Sequence, residues 1–274
     1  WYEIADGGGF SLVIVNPLAA ANTWGLKESW RPSQYLAGNP GAGDIGVIPG
    51  SVIINELLAD GTGAQGDWLE LRNTTAAPID ISGWYVSNDP SLLQKYKFPA
   101  GTILPAGGLL TIIEAADFGL AGNPAALVPF GFSRLGGSVL IASSAPDGAP
   151  AGYRDDKTYG AVAPDVSLGP YVKSAGGSDF VPLAALTLGA ANAAPLVGPI
   201  VLNEIMYNPP TGGDEYIELR NTSGAAVSLF DPAHPANTWR LTSGVSFAFP
   251  AGQTLAAGGY ALVVPIAPAA FRAK

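Results

Sequence analysis

The feature that most constrains the fold of this chain is an internal repeat. The eleven residues FPAGTILPAGG, which begin at Phe98, return as FPAGQTLAAGG from Phe249, and eight of the eleven positions are identical. Two other blocks return in the same order. VIINE becomes IVLNE and WLELRNT becomes YIELRNT, each 148 residues later (200 minus 52 and 216 minus 68). Self-similarity at one period indicates that the chain builds one structural unit more than once.

The repeat divides the chain into one complete unit and parts of two others. The closing residues GAAN at 189–192 match GAGD at 41–44, again with an offset of 148 (189 minus 41). We therefore predict the C-terminal part of a preceding unit at 1–46, a complete unit at 47–192 and the N-terminal part of a following unit at 198–274. The start, WYE, resembles neither an initiator methionine nor a signal peptide, so we expect a piece of a longer protein.

Within the unit, apolar residues alternate as they do in strands. Leu69 and Leu71 fall on one face of a predicted strand. The other face carries Trp68, Glu70 and Arg72. We expect the leucine face to be core, the other face to lie largely in solvent, and Glu70 and Arg72 to form an exposed ion pair of small energetic weight.

The composition supports many short strands joined by tight turns. The chain has 36 glycines and 24 prolines, spread along its length. In the repeated stretch, proline fixes φ and glycine permits positive φ, so the turns themselves demand these residues. Further strands are predicted at 52–57, 83–87, 109–114 and 138–142. Largely buried side chains are predicted at Leu69, Leu71, Trp84, Phe98, Leu110 and Ile112.

The order of the blocks resembles the lamin-tail domain. Asn-Glu at 55–56 is followed by WLELRNT, by ISGWYV from 81 and by KFPAGTILPAG from 97. The resemblance implies an all-β fold of tandem immunoglobulin-like β-sandwiches, with the first and last units incomplete. The segment 230–239 departs from the pattern and is expected to be a longer loop.

Two further blocks resemble the bacterial version of this family. They are FSRLGGSVLI from 132 and the closing GAAN. The resemblance implies tandem units on large exported or surface proteins, beside hydrolase or kinase-like modules. It therefore implies an extracellular or cell-surface location in a bacterium.

Composition and motifs exclude several classes of function. With 22 acidic and 13 basic residues the net charge is −9, which repels nucleic acids. The absence of cysteine excludes disulfides, a thiolate nucleophile and cysteine zinc sites. The longest apolar run, 260–270, is interrupted by prolines and is too short to span a membrane.

Catalysis and cofactor binding are not predicted. The only histidine, His234, lies in a predicted loop without a nucleophile elbow. The glycines at 41–46 and 61–66 satisfy the pattern of a dinucleotide-binding loop, but no helix follows either. We interpret them as turn glycines, and we predict no cofactor and no enzyme activity.

Four acids are the candidates for calcium. Asp60 and Asp67 flank a glycine-rich loop, and Asp214 and Glu215 occupy the related place in the next unit. Oxygen-rich loops bind calcium, but calcium takes six to eight oxygens and this loop lacks the ligand spacing of an EF-hand. We favour turn acids over a metal site.

We predict a non-catalytic structural, scaffold or adhesion module of a larger bacterial protein. Its partners would be proteins, or further copies joined through the incomplete units in a head-to-tail filament. One alternative is an accessory part of a secreted enzyme whose catalytic part lies outside this chain. Another is a carbohydrate- or protein-binding module that uses Trp24, Trp30 or Trp239, or a patch around Trp68 or Tyr216.

Overall fold

The computed structural model describes residues 1–242 and 244–273, and the chain is almost entirely β. It divides into two compact units, the first ending at Leu196 and the second beginning at Val197. The strands of the first unit are β1 (Phe10–Ile14), β2 (Trp30–Leu36), β3 (Val52–Leu58), β4 (Trp68–Asn73), β5 (Ile79–Asp80), β6 (Tyr85–Ser87), β7 (Tyr96–Lys97), β8 (Ile103–Leu104), β9 (Leu109–Ile113), β10 (Gly137–Ser144), β11 (Pro150–Tyr159), β12 (Ser167–Val172) and β13 (Ser178–Pro182).

The second unit contains shorter strands and a helix. Its strands are β14 (Ile200–Met206), β15 (Tyr216–Asn221), β16 (Val227–Ser228), β17 (Phe230–Asp231), β18 (His234–Thr238), β19 (Arg240–Leu241), β20 (Phe247–Ala248), β21 (Thr254–Leu255) and β22 (Tyr260–Val263). The helical segments among the described residues are the 3-10 turns Glu3–Ala5, Ala21–Thr23 and Lys27–Ser29, and α1 (Pro268–Arg272). No helix in the described part of the chain combines the length and apolar character required to cross a membrane.

The first unit is an antiparallel β-sandwich. A sheet in the order β13-β12-β3-β4-β9 and a sheet in the order β11-β10-β6-β7 supply its two layers. Leu69 and Leu71 of β4 share one apolar core with Val86 of β6 and Ile141 of β10. The apolar side of each alternating strand is thereby buried against the opposing sheet. The predicted all-β, immunoglobulin-like class is confirmed.

Most sequence expectations for this unit are confirmed. Strands cover the predicted segments 52–57, 109–114 and 138–142 to within two residues, and β6 covers the end of 83–87. The predicted core residues that are buried are Leu69, Leu71, Trp84, Phe98 and Ile112. Leu110 is only half-buried and packs against the same core.

The prediction for the second face of β4 is wrong. Trp68 and Glu70 are buried, and only Arg72 is exposed. β4 lies between β3 and β9 in its sheet, and the backbone N–H of Gly189 donates to the Glu70 carboxylate at 2.6 Å. A remote segment therefore covers the face that the alternation pattern assigns to solvent. The exposed Glu70–Arg72 ion pair does not form, and Trp68 cannot belong to a surface patch.

Residues 1–46 belong to the first unit and pack onto its β-sandwich. β1 and β2 pair with each other, and β2 lies so close to β11 that a side chain at Gly152 would collide with the Ser33 carbonyl. A buried ion pair between Arg31 of β2 and Asp44 ties the residues that follow β2 to that strand. Burial would raise the pKa of Asp44, but the hydrogen bonds it accepts from Arg31 and two backbone N–H groups hold that pKa below its usual value. The assignment of this segment to a preceding repeat stays a prediction.

The second unit repeats the central ladder of the first. Its sheet has the order β14-β15-β22, and its paired residues in β14 and β15 lie 148 positions after their counterparts in β3 and β4. Both ladders skip one residue, Asn55 in the first and Asn203 in the second, so the same β-bulge recurs. The buried core of this unit, among the described residues, comprises Leu219, Leu229, Phe249 and Val263.

The segment 230–239 is not the loop that the sequence predicts. β17 and β18 pair as a small antiparallel hairpin, and His234 is the first residue of β18. The Nδ1 atom of His234 lies 2.9 Å from the Asp231 carboxylate, which closes the turn. Phe230 and Thr238 pair across the hairpin, so the extra residues find backbone partners locally.

The repeated FPAG stretch makes the same turn in both units. Phe98 and Phe249 are buried anchors. Gly101 and Gly252, three residues later, have φ of 81° and 77°. These values lie in the left-handed region, which an L side chain adopts at a cost. The backbone path therefore explains why the stretch recurs.

Replacing Gly101 by alanine should lower the free energy of unfolding of the first unit by about 1–2 kcal/mol, the cost of a side chain in the left-handed region. A Cβ there meets no atom within 4 Å, so only backbone strain acts. Gly63→Ala is the matched control, because that site is equally open and has no positive φ. It should be neutral or slightly stabilising. Urea denaturation of both variants tests this, and equal losses would contradict it.

Candidate functional site

The two calcium candidates of the first unit, Asp60 and Asp67, lie at the loop between β3 and β4. The Asp67 carboxylate accepts hydrogen bonds from the backbone N–H groups of Gly61 at 3.2 Å and Phe132 at 2.8 Å. It thereby ties the glycine-rich loop to a segment 65 residues away. One carboxylate oxygen of Asp60 is buried and accepts no hydrogen bond from the described residues.

The structure does not gather these acids into a metal centre. Across residues 1–242 and 244–273, no cluster of three or more His, Cys, Asp or Glu side chains is arranged to hold a metal ion. Asp214 and Glu215 immediately precede β15, where Glu215 is exposed and Asp214 half-buried. The interpretation of the four acids as turn acids rather than calcium ligands stays a prediction.

Burial and neighbouring charge raise the pKa of Asp67. Burial is the largest cause, and the charges of Glu114 and Asp60 add to it. The two backbone hydrogen bonds oppose these effects without cancelling them. Glu114 itself accepts a hydrogen bond from the Asp67 backbone N–H at 3.0 Å, so the two acids are held together.

The most developed polar site is a partly buried cluster around the Asn55 bulge. We call it the closure cluster, and its members are Asn55, Glu56, Glu70, Ser167, Thr187, Gly189 and Asn192. Sequence analysis did not predict it, although the recurrence of Asn-Glu and of the closing Gly-Ala-Ala-Asn was its signal. Its acids are fully buried, so their charges must be satisfied by donors inside the protein.

Hydroxyl groups hold the Glu56 carboxylate. One oxygen accepts from the Ser167 hydroxyl at 2.5 Å and from the Thr187 backbone N–H at 3.1 Å. The other oxygen accepts from the Thr187 hydroxyl at 2.5 Å. These bonds fasten a segment more than 110 residues downstream to the edge of β3.

Amides hold the Glu70 carboxylate. Asn55 donates to one oxygen at 2.7 Å, and Gly189 donates its backbone N–H to the other at 2.6 Å. Asn192 completes the arrangement, because its side chain donates to the Asn55 carbonyl and accepts from the Asn55 carboxamide, each at 2.8 Å. The cluster therefore uses its polar groups to close the sandwich.

Comparison with models of known protein families identifies the family of this chain. The model of the Lamin Tail Domain matches residues 49–154 and 193–270, which together make up more than half of the chain. This chain belongs to the lamin-tail-domain family. No curated protein matches the sequence. The two matched segments each begin just before a bulged ladder, so the lamin-tail match covers both copies of it. The lamin-tail fold is immunoglobulin-like and typically non-catalytic.

The three tryptophans considered as an alternative binding surface of this lamin-tail protein do not all belong to one unit. The Trp30 indole donates to the Trp24 carbonyl at 2.7 Å, and the Trp1 ring lies 6.4 Å from the Trp30 ring. Trp1 and Trp24 are exposed. Trp239 is also exposed but belongs to the second unit. Trp1, Trp24 and Trp30 thus gather on one surface of the first unit, whereas Trp239 lies apart from them in the chain's second unit.

An open groove lies in the first unit between the FPAG turn and the turn that joins β10 to β11. It encloses about 770 Å³, and Lys97, Asn123 and Asp147 are among its polar lining residues. Gln34 also lines the groove. Its side-chain carboxamide oxygen is buried and accepts no hydrogen bond from the described residues. The groove can admit water or a small polar molecule.

Removing the Glu70 carboxylate should destabilise the first unit far more than the same change at Glu218 affects the second. Glu70→Ala leaves one N–H of the buried Asn55 carboxamide and the part-buried Gly189 N–H without their acceptor, at a cost of about 2–4 kcal/mol. Glu218 accepts from Asn203 at an exposed site, so Glu218→Ala should cost within about 0.5 kcal/mol. Amide hydrogen exchange resolved by residue reads the two units separately. Equal losses would contradict the closure cluster.

The carboxyl group of Asp67 should titrate above the usual value of about 3.9. Because the folded state then holds the proton more tightly, the stability that Asp67 contributes is present at low pH and is lost as pH rises through the folded pKa. Carbon-13 NMR titration gives the pKa directly. Glu114→Gln should lower it by removing a repelling charge, whereas Asp147→Asn, at an exposed turn, should leave it unchanged. An unshifted Asp67 would refute the argument.

Proposed function

We propose that this chain is a non-catalytic structural module of a larger bacterial exported or surface protein, where it acts as a spacer, scaffold or adhesion element. The supporting observation is that the polar residues that recur between the units are used by the fold itself. Asn55 and Glu70 belong to the closure cluster. Asn203 and Glu218 keep the same hydrogen bond, at 2.6 Å, in the second unit.

The buried asparagines at the ends of β4 and β15 extend this argument. Asn73 donates to the carbonyls of Ala77 at 2.7 Å and Leu104 at 3.1 Å. Asn221 donates in the same way to Ala225 at 2.7 Å and to the 255 carbonyl at 3.0 Å. Both carboxamides are fully buried. The recurring asparagine side chains form hydrogen bonds inside their own unit and are therefore not free to bind a ligand. This supports a structural role for the recurring residues.

The extracellular location rests on the resemblance of the blocks to the bacterial type of the family. In this proposal the catalytic part of any parent enzyme lies outside these residues. That would make the chain an accessory module of a secreted hydrolase or kinase-like protein, which is the alternative closest to the proposal. Sequencing the flanking coding region of the parent gene distinguishes the two.

The purified chain should turn over no ester, phosphoester, glycoside or peptide substrate above the buffer rate. The His234→Ala variant should behave identically, because the exposed pair of His234 and Asp231 activates no nucleophile among the described residues. A colorimetric substrate panel across a range of protein concentrations makes the measurement. A rate that scales with protein concentration and disappears on heat denaturation would overturn the proposal.

A binding module is the second candidate, and the gathering of Trp1, Trp24 and Trp30 on one surface favours it. Exposed aromatic rings supply apolar area with a polar edge, which suits carbohydrates and protein surfaces. Titration with oligosaccharides, followed by tryptophan fluorescence, separates this role from the structural one. Saturable quenching that Trp24→Ala abolishes and Trp239→Ala preserves would favour the binding module.

A further inference from the structure

The groove between the FPAG turn and the β10–β11 turn has two fixed walls. The Gly148 carbonyl accepts a hydrogen bond from the Tyr85 hydroxyl at 2.6 Å, which pins the β10–β11 turn. On the other side, the Ser82 hydroxyl oxygen accepts from two backbone N–H groups at the end of the FPAG turn, at 2.9 and 3.1 Å. The groove encloses about 770 Å³, and a ligand that enters it has little protein left to order.

A lysine without a counter-ion lines this groove. Lys97 is half-buried, and its ammonium group forms no ion pair or hydrogen bond with the described residues. The ammonium lies 5.8 Å from the centroid of the Tyr85 ring. A Cβ built at Gly148 would be 3.9 Å from Lys97 Nζ, so the ammonium reaches the β10–β11 turn. A half-buried cation in this place can form a charge-assisted hydrogen bond with an anion.

The repeat shows that the fold does not require a lysine at this position. The FPAG stretch returns with an offset of 151 (249 minus 98), which places Ala248 where Lys97 stands. The strand β20 is thereby the counterpart of β7, and the turn that follows each strand has a glycine with positive φ. A backbone path that forms with alanine does not need the ammonium group. Lys97 therefore belongs to the parts of the chain that differ between units.

The groove also contains acceptors for a ligand that donates hydrogen bonds. The carboxamide oxygen of Gln34 is buried and accepts no hydrogen bond from the described residues. The backbone N–H of Gln34 donates to the Asp44 carboxylate at 2.8 Å, which holds this part of β2 in place. Asp147 is exposed, and one of its oxygens accepts from the Ala149 N–H at 3.0 Å. A buried acceptor without a donor is costly, so a ligand N–H that reaches Gln34 would gain affinity.

We propose that this groove binds a small zwitterion of the α-amino-acid type. The ligand carboxylate pairs with the Lys97 ammonium, and the ligand ammonium binds the Gln34 carboxamide oxygen and the Asp147 carboxylate. The ligand side chain lies against the apolar lining, which includes Pro99, Pro124 and Pro146. The structural role of the chain would stand without this site.

Two other classes of ligand fit the groove less well. Exposed aromatic rings suit carbohydrates, but Phe98 in the groove and the Tyr85 ring under Lys97 are only 3% and 2% exposed. A simple anion would be attracted by Lys97 and repelled by the carboxylate of Asp147. A zwitterion places an opposite charge against each of these two residues, so it matches the groove better than either alternative.

The free L-amino acids, added one at a time to the full chain, are the probes. At least one should shift the NMR signals of the FPAG and β10–β11 turns saturably, with a half-saturation concentration at or below about 10 mM. The same amino acid with its carboxyl group converted to an amide should bind at least about ten-fold more weakly, because a charge-assisted bond is lost.

Lys97→Ala should weaken binding by a similar factor. The variant should fold, because Ala248 stands at the same place in the second unit. Lys173→Ala is the matched control, since it also removes one lysine from the first unit. Lys173 forms an exposed ion pair with Asp179 outside the groove, so this variant should bind as the wild type does.

Gln34→Met separates a ligand contact from a structural one. It removes the carboxamide and keeps an unbranched side chain. It should leave the urea midpoint unchanged or raised and weaken binding about five-fold, the effect of one lost hydrogen bond. A lowered midpoint with unchanged binding would make Gln34 structural and contradict the proposal.

Other results would also overturn the proposal. They are the absence of saturable shifts up to about 100 mM of every amino acid, equal binding by the amide, and undiminished binding by Lys97→Ala. The N-acetyl form of the best probe is the remaining arm, because it keeps the carboxylate and loses the ammonium group. Equal or tighter binding of that form would assign the groove to the carboxyl terminus of a peptide and overturn the stated ligand.

Discussion

The burial of two carboxylates beside one bulge is the constraint on which the first unit depends. Glu56 and Glu70 are fully buried. A buried acid without hydrogen-bond donors is costly enough to oppose folding. The donors come from Ser167, Thr187 and Gly189, which lie more than 110 residues downstream of their acceptors. The central ladder and the closing segment must therefore form together, which makes the sandwich one cooperative unit.

The second unit has the same strand pair and bulge, but its described residues include no donors equivalent to Ser167, Thr187 and Gly189. Its ladder keeps the register and the bulge at Asn203, so these features belong to the strand pair itself. Next to that bulge Glu204 is exposed and Glu218 is half-buried, so water can supply further hydrogen bonds to both carboxylates at little cost. The apolar neighbours Leu202 and Ile205 remain exposed. Water can thus satisfy the polar groups, whereas burial of these two apolar side chains requires other protein segments, as the opposing sheet provides for Ile54 and Leu57 in the first unit.

The recurrence of a polar motif is often read as a sign of catalysis or ligand binding. In this lamin-tail chain the recurring asparagines and glutamates form hydrogen bonds with side-chain and backbone groups of their own unit. Asn73 and Asn221 join the end of one strand to the turns beside it, and the FPAG turns place Phe98 and Phe249 in their cores. Repetition here preserves a backbone path. A functional surface is then expected at the parts that differ between units, such as the exposed tryptophans.

The sequence by itself determined the class, the repeat and the side of each strand that faces the core, because alternation and turn residues are local properties of the backbone. It identified Leu69 and Leu71 as core, and it explained Gly101 and Gly252 through positive φ. It could not predict that Glu70 is buried, because alternation tells only that a side chain points away from the leucine face. Whether that direction leads to water depends on a segment far along the chain. Only the tertiary structure decided this, since it alone brings Gly189 and its N–H group to the Glu70 carboxylate.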